Sequence, residues 1–211
     1  MSLLDDLRKS VIDGELNATQ DQVNKALAEN IPPEEILTKG LISAMTEVGR
    51  MFENGEFYVP EMLISARAMK GGLAILRPHL AAANIKAIGK VVIGTVQGDL
   101  HDIGKNLVGM MLEGAGFEVI DLGVDVSPEK YIAAVNEHKP DLIGCSALLT
   151  TTMPRMKDIL LALQATGLRD SVKVMIGGAP VTEQYAMEIG ADIYAPDAAS
   201  AAQHARQLMQ G

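Results

Sequence analysis

The apolar residues of this chain change their spacing once, and that change restricts the architecture more than any other feature. From Leu3 to about Ala83 they recur at helical intervals. Leu41, Met45, Val48 and Phe52 form one stripe, and Met62, Ala66, Met69, Leu73, Leu76 and Leu80 form another, as in helices that bury a single face. Breaks near Gly14, at Pro32 with Pro33, and from Gly55 to Pro60 divide this half into four helices, because glycine and proline end or start helices. A small antiparallel bundle is expected. After the polar, alanine-rich residues 84–89, short β-branched runs alternate with amphipathic segments. The runs are residues 90–96, 118–122, 142–146 and 172–176, with a weak one at 193–194. Helical segments begin near Ile103, Pro128, Pro154, Thr182 and Ala198. Such alternation predicts a parallel, doubly wound sheet. Five strands in about 120 residues suit the flavodoxin-like order 2-1-3-4-5 better than the six-stranded dinucleotide-binding form. The expected division is 1–86 for the helical domain and 87–211 for the α/β domain.

Composition narrows the partners. A formal net charge of -9 with scattered Lys and Arg gives no footprint for a nucleic-acid backbone, and 3% aromatic residues leave few platforms for base stacking. Apolar stretches are interrupted well short of the roughly 20 residues a membrane span needs, and no charged-then-apolar leader opens the chain. We therefore expect a soluble, cytoplasmic protein with neither nucleic acid nor membrane as partner. Cys145 is the only cysteine and falls in an apolar run, so a buried structural thiol is expected.

In open parallel sheets ligands collect beyond the carboxyl ends of the strands, beside the switch in strand order. Two segments meet that rule: Gly98, Asp99, Leu100, His101, Asp102, Ile103 and Gly104 after the first strand, and Ser146 to Thr150 after the third. Gly177, Gly178, Ala179 and Pro180 follow the fourth strand and keep side-chain bulk away from an approaching ligand. Asp99 is placed to accept a hydrogen bond from one ring nitrogen of His101 and leave the other for a metal, with Ser146 as a further partner of Asp99. The plainer readings are a surface or capping histidine, and Asp102 as the cap of the helix starting at Ile103. Spacing alone leaves both readings open.

The pattern Asp99-x-His101-x-x-Gly104, then Ser146-x-Leu148, then Gly177-Gly178 resembles the B12-binding signature. It is similar to that of methionine synthase and of the corrinoid proteins of methanol, methylamine and related methyltransferase systems, over nearly the whole chain. The resemblance implies a cobalamin or related corrinoid whose lower axial ligand is His101, the cofactor's own dimethylbenzimidazole being displaced. It places Asp99 and Ser146 in a relay behind that ligand. Gly98, Asp102 and Ile103 belong to the same binding loop. A slot for the displaced nucleotide tail would be lined by Gly104, Ser146, Leu148, Thr150, Gly177, Gly178 and Ala198. The helical half resembles the four-helix cap of the methyl-transferring members, in which residues matching Phe52 and Val59 shield the methyl group. A shielded methyl group implies a bundle that moves, with residues 84–89 as the hinge.

The implied role is a carrier rather than a complete enzyme. A methyl group on cobalt would be shuttled from a substrate-specific methyltransferase to an acceptor methyltransferase using tetrahydrofolate or a thiol such as coenzyme M, with a reductive reactivation protein as a further partner. The remaining histidines, His79, His138 and His204, show no metal-ligand spacing with one another or with cysteine. The alternatives are a B12-dependent sensor module, a flavodoxin-like phosphoacceptor signalling domain, which wants an Asp where Cys145 and Ser146 stand, and a phosphohydrolase built on His101 and Asp102. The methyl donor is not legible, since methanol, methylamines, betaines and aryl methyl ethers are all served by related carriers.

Overall fold

Ser2 opens the first helix by reciprocal capping: its backbone N–H donates to the Asp5 carboxylate at 2.9 Å and its hydroxyl accepts from the Asp5 N–H at 3.2 Å. The computed structural model describes residues 2–209, which fall into two compact units. One runs to Ala87 and takes in Glu113–Gly116, and the other comprises Ile88–Leu112 and the chain from Phe117 onward.

In the helical unit, α1 (Leu3–Ile12) turns at Gly14 into α2 (Leu16–Ala28). Pro33 starts α3 (Pro33–Glu35), which continues through a π-helical stretch, Ile36–Ile42, into α4 (Ser43–Glu53). The last helix is α5 (Val59–Ala82). The expected breaks at 14, 32–33 and 55–60 are all present. Leu41, Met45, Val48, Met62, Ala66, Met69, Leu76 and Leu80 are buried as the stripes require, while Phe52 and Leu73 are half-buried. Gly72 lets α5 approach α2 closely, since a Cβ there would meet Thr19 Cγ2 at 3.0 Å and Leu41 Cδ2 at 3.1 Å.

The second unit alternates strand and helix: β1 (Lys90–Thr95), α6 (Ile103–Gly114), β2 (Glu118–Asp121), α7 (Pro128–His138), β3 (Leu142–Ser146), α8 (Pro154–Ala165), β4 (Lys173–Gly177), α9 (Glu183–Ile189), β5 (Ile193–Ala195) and α10 (Ala198–Leu208). All pairings are parallel and the order is β2-β1-β3-β4-β5. The expected flavodoxin-like topology is therefore the observed one. Three of its helices start on side-chain caps: Ser127 for α7, Thr182 for α9 and Asp197 for α10. Alternate residues of the strands pack on opposite faces. Val92, Ile143, Cys145, Val174 and Ile176 join α7 and α8 residues such as Tyr131, Met156 and Ile159 in one core, whereas Ile93 points toward Gly109 of α6. Burial pushes the Cys145 thiol up to about 12 despite an opposing hydrogen bond from Tyr131, so this cysteine is core.

One boundary differs from expectation in a way that touches the candidate site. Gly177 is not loop but the last residue of β4, paired on both sides with Ser146 and Ala195. Among the described residues no helix is long and apolar enough to cross a membrane.

Candidate functional site

The switch in strand order lies between β2 and β3 on either side of β1, and the segments leaving β1 and β3 meet there. The first, residues 96–102, is a tight loop in which Asp99 N–H donates to Val96 O at 3.1 Å. It is closed by Thr95, whose fully buried hydroxyl donates to the His101 carbonyl at 2.8 Å. The second, residues 147–153, folds back so that three donors face the first loop.

Asp99 joins the two segments. Its side chain is fully buried and both oxygens are occupied. Oδ1 accepts from the His101 backbone N–H at 3.1 Å and lies 2.7 Å from His101 Nδ1. Oδ2 accepts from Leu148 N–H at 2.8 Å, Leu149 N–H at 3.3 Å and the Thr152 hydroxyl at 2.8 Å. Burial is the largest single influence on this carboxyl and would raise its pKa. The opposing bonds from Leu148, the His101 ring, the His101 N–H and Thr152 together outweigh it and hold the group well below the usual carboxylate range. An ionised carboxylate can only accept. The proton in the Asp99–His101 bond therefore sits on Nδ1, and the lone pair of a neutral ring is on Nε2. The His101 side chain is 51% exposed, so Nε2 is reachable from outside.

The relay differs from expectation in one member. Ser146, at the end of β3, is not among the partners of Asp99, and Thr152 supplies the hydroxyl instead. The cause is the turn after β3: the chain passes Leu148 and Leu149 and then returns, with Thr152 N–H bonded to Leu149 O at 3.0 Å. A residue six positions beyond Ser146 is thereby brought to the carboxylate, and the run Thr150-Thr151-Thr152 is the sequence signal that offers such a hydroxyl. Asp102 holds the first turn of α6, its carbonyl accepting Asn106 N–H at 2.7 Å, but its carboxylate accepts from Asn106 Nδ2 at 3.1 Å. Lys105, unremarked in the sequence, is 4% exposed and pairs with Asp121 at the end of β2 and with Asn106 Oδ1. It ties the start of α6 to the neighbouring strand.

The loops around His101 expose large apolar side chains beside polar ones such as Asp102 and Thr150. Leu100 is 71% exposed, Ile103 79%, Leu148 44% and Leu149 41%, and they flank the histidine from both loops. Gly104 faces open space, with no atom within 4 Å of where a Cβ would stand, and Thr150 is exposed. Gly178 is constrained by packing: it has φ +136°, and a Cβ would fall on the carbonyl oxygen of Ala147. A Cβ on Gly177 would stand 2.7 Å from Ala195 O. Gly98 needs its left-handed φ of +83°. Ala198 is buried at the start of α10. Phe52 and Val59 belong to the helical unit, half-buried near the end of α4 and 40% exposed at the start of α5 respectively.

These features fit a corrinoid. Among the described residues no three His, Cys, Asp or Glu side chains converge to hold a bare metal ion. A single oriented imidazole nitrogen suits instead a metal that brings its other ligands in a macrocycle, and exposed leucine and isoleucine around it match a broad, largely apolar ring.

Comparison with known proteins agrees. Family models described as B12 binding domain match residues 89–205 and, for a second model of that description, residues 3–77. A dimethylamine corrinoid protein of Methanosarcina acetivorans is 44% identical over 98% of this chain and 97% of its own. A corrinoid protein of Desulfitobacterium hafniense is 42% identical over 99% and 98%. Among solved structures, the methanol:cobalamin methyltransferase complex of Methanosarcina barkeri superposes with a TM-score of 0.88 at 30% identity, covering 99% of this chain and 80% of that one. The chain belongs to the B12-binding-domain family of corrinoid proteins.

Proposed function

We propose that this protein carries a corrinoid with His101 Nε2 as the lower ligand of cobalt, and that it shuttles a methyl group between a donor-specific methyltransferase and an acceptor methyltransferase. The supporting observation is the 2.7 Å pair between Asp99 and His101 Nδ1, with the carboxylate held ionised and the opposite ring nitrogen left accessible. The family and the relatives named for methylamine and methanol systems support the carrier role. Tetrahydrofolate or a thiol such as coenzyme M is the acceptor class, and a reductive reactivation protein completes the set of partners.

When bound, the corrinoid supplies a cobalt centre that accepts and gives up a methyl group. The chain's own residues do the rest. Asp99 fixes the tautomer and direction of the imidazole, and its charge increases the ring's donor strength. Thr152 and the N–H groups of Leu148 and Leu149 keep that carboxylate from turning or taking up a proton. Leu100, Ile103, Leu148 and Leu149 exclude water beside the ligand. Gly104 and Thr150 leave room for the cofactor's displaced tail.

The test is spectroscopic. After loading with hydroxocobalamin and reduction to Co(II), the wild-type EPR spectrum is expected to show coupling to an imidazole nitrogen, and His101→Ala is expected to lose it. A spectrum that the substitution leaves unchanged refutes the assignment.

A further inference from the structure

The loop that presents His101 is held from a third side by a residue outside the B12-binding signature. Residues 122–127, between β2 and α7, lie against the end of β1: Thr95 N–H donates to Gly123 O at 3.0 Å and Val126 N–H to Thr95 O at 2.9 Å. Between those bonds stands Asp125. Its carboxylate Oδ1 accepts from Gly98 N–H at 2.7 Å, and its own N–H donates to Asp99 O at 3.0 Å. The two bonds bracket the backbone of Asp99, one on each side of its Cα, while the Asp99 side chain reaches His101 and Thr152. Backbone and side chain of the relay residue are thus fixed from different loops.

Asp125 adopts φ +53°, a left-handed conformation that glycine takes freely and a side chain disfavours. The same loop uses glycine at position 123, where φ is +85° and nothing lies within 4 Å of a Cβ position. At 125 a carboxylate stands in spite of the backbone cost, and it accepts a hydrogen bond from the loop that bears the histidine.

We infer that Asp125 is a positioning residue for the axial ligand: its carboxylate and backbone N–H clasp residues 98–99, so that His101 meets cobalt in one orientation. This inference rests on the corrinoid reading. It assigns the β2–α7 loop, which contributes no side chain to the relay, a part in setting how firmly the imidazole is ligated.

The substitution Asp125→Gly isolates the effect, because glycine accepts the left-handed backbone and removes only the carboxylate. Asp125→Asn keeps an acceptor oxygen and tolerates the same φ. In full-length, corrinoid-free protein, D125G is expected to melt at or above the wild-type temperature while amide hydrogen exchange at Gly98 quickens about tenfold. After loading with hydroxocobalamin and reduction, the ratio of histidine-off to histidine-on Co(II), read from the nitrogen coupling, is expected to rise about fivefold. D125N should restore both readouts. Wild-type exchange and wild-type ligation in D125G overturn the inference. So does a large loss of melting temperature in D125G that ligation merely follows, since Asp125 would then be a brace of the sheet. Wild-type protein that takes up hydroxocobalamin without nitrogen coupling refutes the corrinoid reading itself, a failure distinct from either of these.

Discussion

Thr152→Val keeps the branched shape of the side chain and deletes one hydroxyl, the donor 2.8 Å from Asp99 Oδ2. The residue is 6% exposed, so water cannot readily replace the lost bond. A hydrogen bond to a charged acceptor contributes about 1.5–3 kcal/mol. Because Oδ2 keeps the Leu148 and Leu149 N–H groups, the lower part of that range applies, about 2 kcal/mol. With a urea dependence of about 2 kcal/mol per molar, the denaturation midpoint of the corrinoid-free protein should fall by about 1 M. Ser146→Ala removes nothing from Asp99 and should stay within about 0.5 kcal/mol of wild type. The difference between Thr152→Val and wild type depends on pH with a definite sign. The Asp99 carboxyl is depressed below its ordinary value of 3.8 in the folded protein, so the stabilisation is fully present above that value and is lost as the pH falls through the lower folded value. The gap should be widest near neutrality and close in acid. Urea titrations by circular dichroism should show nearly the full gap at both pH 7 and pH 3, since pH 3 still lies above the depressed folded value, with closure only in stronger acid. Equal costs for Thr152→Val and Ser146→Ala, or a Thr152→Val midpoint equal to wild type, would refute a stabilising bond from Thr152 to Asp99.

Two glycines of the signature should behave oppositely when changed to alanine. Gly178→Ala places a Cβ on the Ala147 carbonyl at φ +136° and should cost on the order of 3 kcal/mol, seen as a lower melting temperature. Gly104→Ala meets nothing within 4 Å and should leave the corrinoid-free protein as stable as wild type while weakening hydroxocobalamin uptake in a spectral titration. Cys145, its thiol pushed up to about 12 by burial, should resist iodoacetamide at pH 8 in the native protein and react fully in denaturant. Rapid native labelling would contradict its place in the core.

Element types, their order and the strand sequence were legible because each depends on local period. The β-branched runs at 90–96 and 142–146 are short, flanked by glycine or charge, and separated by helical segments, which leaves few topologies for a parallel sheet. The π-helical stretch Ile36–Ile42 was not legible, since one wider turn hardly changes the spacing of buried positions. His101 and Asp99 could be paired from the sequence because two residues in one tight loop have little freedom. That Thr152 rather than Ser146 bonds Asp99 was not legible, because it depends on the path of residues 147–153, a turn whose return toward β1 is set by backbone bonds rather than by side-chain pattern. Asp125 escaped notice for a similar reason. It acts through a left-handed backbone and a contact 27 residues away in the chain, and neither leaves a periodic trace.

Asp99 accepts from donors in both the β1–α6 and β3–α8 connections, and this limits how the fold can vary. Loops at strand ends are ordinarily where a scaffold gains or loses residues as new ligands are accommodated. Here one inserted residue at 96–102 or 147–153 would move a donor by more than the length of a hydrogen bond and leave a buried carboxylate short of partners. The two connections are therefore locked in length by a single side chain. Adaptation to different partner enzymes must proceed by changing side chains on these loops, or by altering surfaces away from them, rather than by lengthening the loops themselves.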